Sequence, residues 1–375
     1  MTVSPTLPTA YRPTHDETAR QAFVGALKGV LNGPIEVALA ERYETTLEPE
    51  YRARAGHTPK NRIDGRDAFA ADHLYQLWGS AVYTSQDLMW ETVNDTCARV
   101  LPAFTEQRRQ LESVSARGSL ELDPTLEIPE PIRSVEIHRQ PGGYFADYGE
   151  YGLLTALRYF GTVELYRSAK GLSADSTTGA PGMGFFILSA VERRFPEFAP
   201  SAVLDLGCGT GTETIAYKQR FPDARVCGVD LSAPLLNFAH AWAEDGGHEV
   251  HYRQADARAT GYDSASFDLI VSNILFHETR TDIVRDIMRE AHRLLRPGGV
   301  FLNADTPFQP ERISIPKQVT NDWQVINNGE PFWTGYADLD MADELTAAGF
   351  GDAEVFADYD PLGSGVFHVF GARRT

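Results

Sequence analysis

Cysteine is scarce in this chain of 375 residues. Cys97, Cys208 and Cys227 are the only three, and they lie far apart. An odd number of widely spaced cysteines excludes a disulfide framework, and the lack of a CxxC pair or a Cys/His cluster excludes the common zinc patterns. Long apolar runs are also missing. No stretch approaches the roughly 18 uninterrupted apolar residues that a membrane helix needs, so we do not expect an integral membrane protein.

Basic residues are few compared with acidic ones. Lys and Arg number 34 against 52 Asp and Glu, which gives a formal net charge of -18. Proteins that bind nucleic acid through its phosphates are normally basic, and no Lys/Arg run is present, so nucleic-acid binding is not expected. The first residues show no signal pattern of charged and then apolar residues, which leads us to expect a cytoplasmic protein.

The length and the changing sequence pattern predict two domains and a connecting segment. Residues 1–134 carry apolar stripes at helical spacing and form a mainly α-helical N-terminal domain, which serves as a dimerisation unit, a substrate lid or both. Residues 135–182 are rich in Gly and Tyr and connect the two domains near the active site. Residues 183–375 form the second domain, with a pocket insertion at 306–340.

The C-terminal domain is predicted to have an α/β, Rossmann-like fold. Its alternating strands and helices indicate right-handed βαβ units and a mostly parallel sheet with helices on both faces. The link between the last two strands is too short for a crossover helix, so the last strand should run antiparallel. Seven strands are predicted, over residues 201–207, 224–232, 248–256, 267–273, 300–305, 352–357 and 365–372.

The strongest local signal is the run VLDLGCGTG at residues 203–211. Gly207, Gly209 and Gly211 directly follow a strand and precede a helix, and Asp205 lies inside the strand. A turn without side chains lets a ligand lie against bare backbone N–H groups at a helix N-terminus. Dinucleotide-binding proteins use the same device, so the loop alone does not decide between ligands.

Each of the next three strands ends at a polar residue that could contact the same ligand. Asp230 ends the second strand, where a carboxylate can accept hydrogen bonds from ribose hydroxyls. Asp256 ends the third strand, where it can meet the exocyclic amine of an adenine, and Asn273 ends the fourth. Ligands of open α/β sheets bind at the carboxyl ends of the strands, so these residues predict one shared site.

The combination of VLDLGCGTG, GVDLS, QADA, FDLIVSN and the LLRPGG turn resembles the class I S-adenosylmethionine-dependent methyltransferases over residues 183–375. The resemblance implies S-adenosyl-L-methionine as cofactor and S-adenosyl-L-homocysteine as product. It implies that Gly207, Gly209 and Gly211 hold the methionine part, with Asp205 orienting the loop. It further places the ribose at Asp230 and Leu231 and the adenine at Asp256 and Ala257, with Asn273 as a further cofactor contact.

The methyl acceptor is expected to be a small organic molecule. His277, just after the fourth strand, is the candidate general base, at a position similar to that of the catalytic histidine of small-molecule O-methyltransferases. Tyr144 and Tyr148 follow the QPGG turn, and we expect them to fold over the transferred methyl group. The aromatic side chains of the insertion at 306–340 should complete a closed, partly apolar pocket.

Other functions remain open from the sequence. S-methylation or N-methylation needs no base, so replacement of His277 would then be nearly harmless. A protein that binds the cofactor without methyl transfer, and a nicotinamide-dependent oxidoreductase, are less consistent with the loop and the final strands. Asp268, Asn303 and Asp305 offer ligand atoms near the fourth and fifth strands, but their spacing does not indicate a metal site, and none is predicted. A homodimer through the N-terminal domain is expected by analogy with related enzymes.

Overall fold

An eight-stranded sheet forms the centre of the protein. The computed structural model describes residues 11–112, 115–169, 182–306, 310–351, 354–359 and 367–375. Residues 170–181 of the Gly/Tyr-rich segment, and most of the link predicted between the last two strands, lie outside these ranges. The strands are β1 Ser119–Glu121, β2 Ala202–Leu206, β3 Arg225–Asp230, β4 His251–Gln254, β5 Phe267–Asn273, β6 Leu295–Asp305, β7 Val355–Tyr359 and β8 His368–Arg373.

The strand directions match the predicted topology. The sheet runs β1-β4-β3-β2-β5-β6-β8-β7. The strands β1 to β6 pair in parallel, whereas β8 is antiparallel to both β6 and β7. The prediction of a mostly parallel sheet with an antiparallel last strand is therefore confirmed, and the carboxyl ends of β2, β3, β4 and β5 meet at one edge.

Helices cover both faces of the sheet and build the N-terminal region. They are α1 His15–Val30, α2 Glu36–Arg42, α3 Glu48–Ala55, α4 Arg62–Phe69, α5 His73–Glu112, α6 Glu130–Arg133, α7 Leu153–Ala169, α8 Gly182–Arg194, α9 Thr212–Arg220, α10 Ala233–Asp245, α11 Thr281–Leu294, α12 Ile315–Asn327, α13 Trp333–Ala337 and α14 Met341–Ala348. One face of the sheet packs against α7 to α10, and the other packs against α11 and α14.

The eighth strand corrects the predicted count of seven. Within the predicted helical domain, α5 ends at Glu112, and β1 pairs in parallel with β4 at the sheet edge. The approach is very close: a Cβ at Gly118 would lie 1.9 Å from the Val250 carbonyl oxygen. Glu244 of α10 further accepts the N–H groups of Arg117 and Gly118, at 2.9 and 2.7 Å. A three-residue strand is too short for alternation in the sequence to reveal it.

The N-terminal helices α1 to α3 form one continuous stretch, His15–Ala55, interrupted by two π-helical turns. The first of these turns contains Pro34, which cannot donate to a regular helical ladder. Among the described helices, this stretch alone is long and apolar enough to cross a membrane. Its most apolar 18-residue window has a mean hydropathy of 1.3, and 28% of that window is buried. In this structure the helix packs against α5, and its buried Lys28 donates to Gln86 at 2.6 Å.

The N-terminal helices and the sheet domain share one hydrophobic core. Phe104 of α5 stacks on Phe238 of α10 with ring centroids 5.3 Å apart, and Phe160 of α7 lies 5.2 Å from the same ring. The core cluster that contains these rings also includes Val24 of α1 and Val203 of β2. The predicted boundaries at 134 and 182 stay predictions, but the residues on either side pack together.

Candidate active site

The glycine loop connects β2 to α9 in a conformation that glycine makes possible. Gly207, Gly209 and Gly211 have φ values of 69°, 52° and 77°, in the left-handed region. A Cβ at Gly207 would lie 2.8 Å from Leu275, and one at Gly211 would lie 2.5 Å from the Tyr252 hydroxyl. Gly211 caps α9. The loop thus leaves a cradle of backbone groups at a helix N-terminus.

Two carboxylates hold this loop in place. Asp230 at the end of β3 accepts the Gly209 N–H at 2.9 Å and the Ser232 N–H at 2.8 Å. Burial raises the pKa of Asp230 to about 6, although these two backbone hydrogen bonds oppose the shift. Asp205 is buried and accepts the Thr214 hydroxyl at 2.6 Å, so it ties β2 to the first turn of α9. Its role in orienting the loop stays a prediction.

The other predicted cofactor residues lie along the same edge of the sheet. The Leu231 carbonyl accepts from Gln254 at 3.0 Å. Asp256 forms an ion pair with Arg258, whose Nε lies 3.0 Å from both carboxylate oxygens. An adenine amine bound by Asp256 would therefore share its carboxylate with a guanidinium. Ala257 packs against the core cluster on the α11 face. The buried Asn273 Oδ1 has no hydrogen-bond partner among the described residues, which leaves an acceptor for a ligand donor.

His277 lies in a buried pair with Asp305. It occupies a short 3-10 turn after β5, Phe276–Glu278, and its Nδ1 is 2.6 Å from Asp305 Oδ1 at the end of β6. Asp305 also accepts the Phe276 N–H at 2.8 Å and the Thr306 N–H at 2.7 Å. Burial alone lowers the pKa of His277, but Asp305, then Glu278 and Glu330, outweigh it and raise the pKa to about 9. The Asp305 carboxylate therefore favours the imidazolium form of His277.

Four further side chains extend this pair into a polar cluster. Glu278 Oε1 lies 3.2 Å from His138 Nε2 and 3.9 Å from His277 Nε2, and it accepts the Tyr144 hydroxyl at 3.2 Å. Glu330, only 4% exposed, pairs with His138 Nδ1. Burial lowers the pKa of His138, but Glu330 and Glu278 raise it to about 10. We call His138, Tyr144, His277, Glu278, Asp305 and Glu330 the polar cluster.

The polar cluster borders the glycine loop. The Tyr144 ring packs edge-on against Tyr159 with centroids 5.3 Å apart, and a Cβ at Gly209 would lie 3.6 Å from Tyr159. The Tyr144 carbonyl accepts the hydroxyl of Ser232, two residues after Asp230. One side of the predicted methyl-transfer site is therefore attached to the end of β3.

Tyr148 lies elsewhere. It is 43% exposed, packs beside Gly142, and has the Arg158 guanidinium 5.2 Å from its ring centre. Tyr144 joins the polar cluster, whereas Tyr148 stands at the surface, so its role as a cover over the methyl group stays a prediction. Two tryptophans of the insertion at 306–340 have different surroundings. Trp323 packs on Trp78 among the N-terminal helices, whereas the Trp333 ring centre lies 5.9 Å from that of His277.

The sequence does not predict His138 or Glu330 as site residues. It offers Asp305 only as a possible metal ligand whose spacing does not indicate a metal site. Asp305 ends the parallel strand next to β5, and its position beside the His277 turn is a signal that topology could have supplied. His138 has a left-handed backbone, with φ 53°, and its carbonyl accepts from Gln86 and Trp90 of α5. Tertiary packing brings His138 to the site, and no local sequence motif predicts this position.

A methyltransferase-domain family model matches residues 203–299, the span from the glycine loop to the turn in β6. The C-terminal region of this chain is a class I S-adenosylmethionine-dependent methyltransferase domain. The cofactor of the methyltransferase domain is S-adenosyl-L-methionine. The glycine cradle, the Asp230 carboxylate at the end of β3 and the unpartnered Asn273 oxygen are consistent with this molecule.

Relatives of the methyltransferase domain act on different molecules. A demethylmenaquinone methyltransferase of Thermus thermophilus is 35% identical over 115 residues, which are 31% of this chain and 51% of the relative. A malonyl-[acyl-carrier protein] O-methyltransferase of Hahella chejuensis is 34% identical over 141 residues, 37% of this chain and 49% of that relative. The chain thus spans about half the length of these curated relatives.

Among solved structures, phosphoethanolamine N-methyltransferase 2 of Haemonchus contortus with S-adenosyl-L-methionine is 18% identical, with a TM-score of 0.41. The alignment covers 56% of this chain and 59% of that one.

Proposed function

We propose that this protein transfers a methyl group from S-adenosyl-L-methionine to an oxygen atom of a small organic molecule, with His277 as general base. The observation that carries the proposal is the buried His277–Asp305 pair, 2.6 Å apart, within a cluster that adjoins the glycine loop. Bound cofactor supplies an activated sulfonium methyl group. The protein has two tasks: to align the acceptor with that methyl group and to remove the acceptor's proton.

Each task has candidate residues. Asp305 fixes the His277 ring through Nδ1, which directs Nε2 into the polar cluster, where an acceptor hydroxyl could donate its proton. The carboxylate then stabilises the imidazolium that forms. Because the pKa of His277 is raised to about 9, the neutral imidazole that accepts the proton becomes more abundant as the pH rises towards 9, and the rate should rise with it. Trp333 lies beside the His277 ring and Tyr159 packs on Tyr144 of the same cluster, which is consistent with a small organic acceptor held in a closed pocket.

The test is a methyl-transfer assay with tritium-labelled cofactor and a panel of small phenols, carboxylic acids and amines. If a hydroxyl acceptor is found, His277→Ala should lower kcat by roughly 100-fold or more, because a general base contributes about that much. The exposed His57→Ala is the matched control and should leave kcat unchanged. Transfer to an amine or thioether that survives His277→Ala would contradict O-methylation by a base and favour simple alignment.

We also propose a cytoplasmic homodimer that uses neither nucleic acid nor a membrane. The net charge of -18 disfavours phosphate binding, and Phe23, Val30 and Val37 of the His15–Ala55 stretch are 63, 50 and 59% exposed. A second copy could cover these apolar side chains. Sedimentation should give a dimer for the wild type and a monomer for Val30→Asp. A wild-type monomer, or capture of the protein by lipid vesicles, would contradict the proposal.

A further inference from the structure

The polar cluster contains three ligand atoms that converge on one point. One ligand atom from each of His138, His277 and Glu278 lies within 4.8 Å of the other two. Bonds of about 2.0–2.2 Å from an ion to nitrogen and oxygen ligands place such ligands roughly 3.3–3.6 Å apart in tetrahedral geometry. The observed separations of 3.2 and 3.9 Å between Glu278 and the two imidazoles need only small side-chain adjustments to reach this.

A second, independent observation concerns the far side of each imidazole. Asp305 holds the Nδ1 of His277, and Glu330 holds the Nδ1 of His138. Histidines that bind metals almost always donate their other ring N–H to a carboxylate or carbonyl, which fixes the tautomer and directs the free lone pair at the ion. Here both imidazoles have this support, and both Nε2 atoms face Glu278.

The carboxylates of the cluster also favour a bound cation. Three carboxylates, those of Glu278, Asp305 and Glu330, surround two imidazoles, and the buried Glu330 Oε2 has no hydrogen-bond partner among the described residues. A bound metal ion would displace the protons that the raised pKa values of His138 and His277 hold at neutral pH, and it would then balance the charge of the three carboxylates. Two nitrogen ligands and one carboxylate suit zinc and its neighbours among the transition metals, whereas Mg²⁺ and Ca²⁺ prefer all-oxygen sites.

We propose that His138, His277 and Glu278 bind a divalent transition metal ion of the zinc type, with Asp305 and Glu330 as positioning residues. Three protein ligands leave an open position on the ion. The effect on turnover rests on the proposed function: an Nε2 lone pair bound to metal cannot accept a proton, so the loaded protein cannot use His277 as its base. Metal binding should therefore inhibit the base-dependent reaction.

The binding test uses the full chain, stripped of metal with a chelator and titrated with Co²⁺. We expect one equivalent of Co²⁺ to give visible ligand-field absorption that Zn²⁺ displaces. His138→Gln should abolish the bands, and Glu330→Gln should weaken binding by roughly 10- to 100-fold, the usual effect of losing a supporting carboxylate. The control His57→Gln removes an exposed histidine elsewhere and should bind Co²⁺ normally. Cofactor titrations of every variant check that the fold is intact.

Absence of the bands in the wild type, or equal Co²⁺ affinity in His138→Gln, would overturn the metal site. A second arm adds Zn²⁺ to the stripped protein during methyl transfer, where we expect at least a tenfold loss of rate. Stimulation by Zn²⁺ would overturn the inhibition. If the Co²⁺ bands were intact, that result would leave the site in place and instead refute His277 as the base, so the two proposals fail in different experiments.

Discussion

At the scale of single residues, the site depends on carboxylates that hold other groups in place. Asp230 holds the glycine loop, Asp305 holds His277, and Glu330 holds His138. Each of these carboxylates is largely removed from water, so its contribution depends on partners rather than on exposure. Small changes of charge at these positions should have large effects on binding or rate.

The affinity for the cofactor should depend on pH through Asp230. Its pKa is raised to about 6 by burial and by Glu278, against the N–H groups of Gly209 and Ser232. Accepting ribose hydroxyls requires the ionised form, so affinity should be full above pH 6 and fall about tenfold per unit below it. Calorimetric titrations with S-adenosyl-L-methionine at pH 5 and pH 8 measure this. Asp230→Asn should bind weakly at both values, and the exposed Asp223→Asn should follow the wild type.

Replacement of the Asp305 carboxylate should disable His277 without removing it. An amide in Asp305→Asn cannot stabilise the imidazolium and can present its N–H₂ group to Nδ1, which favours the wrong tautomer. We expect kcat for a hydroxyl acceptor to fall roughly 100-fold or more while KM for the cofactor changes little. An equal loss in KM and in thermal stability would indicate a structural role alone.

At the scale of elements, the seven strands predicted from the alternating pattern are present because buried parallel strands and their helices leave strong signals in the sequence. The eighth does not, because β1 has only three residues and its place depends on Gly118 beside Val250. The same reason separates the predicted from the unpredicted site residues. Asp230 and His277 follow their strands directly, whereas His138 and Glu330 reach the site through loops that only the folded chain brings together.

The docking of β1 should be sensitive to one methyl group. Gly118→Ala would place a Cβ 1.9 Å from the Val250 carbonyl oxygen, so β1 must separate from β4. We expect faster trypsin cleavage after Arg117 and a loss of roughly 1–3 kcal/mol in the free energy of unfolding. Gly33→Ala, where a Cβ would meet nothing within 4 Å, is the control. Unchanged proteolysis in Gly118→Ala would show that the strand does not need this close approach.

At the scale of the whole molecule, the N-terminal helices and the methyltransferase domain share a core, so they should unfold together. Phe238 of α10 touches rings from both regions, and Phe238→Ala should cost about 3–5 kcal/mol. Hydrogen exchange in rising urea should show peptides of α5 and of β2 to β5 losing protection at the same concentration, shifted equally by the substitution. Ile63→Ala, at a position that is 61% exposed on α4, should shift neither. Separate transitions would indicate independent domains.

The central claim is that the glycine loop and Asp230 bind S-adenosyl-L-methionine, and calorimetric titration of the full chain tests it most directly. We expect one site per chain for the cofactor and for S-adenosyl-L-homocysteine, with Asp230→Ala weakening both by roughly 100-fold or more, because two hydrogen bonds to a charged group are lost. If the wild-type protein shows neither a heat of binding nor thermal stabilisation with either molecule, the claim that the glycine loop and Asp230 bind the cofactor is contradicted.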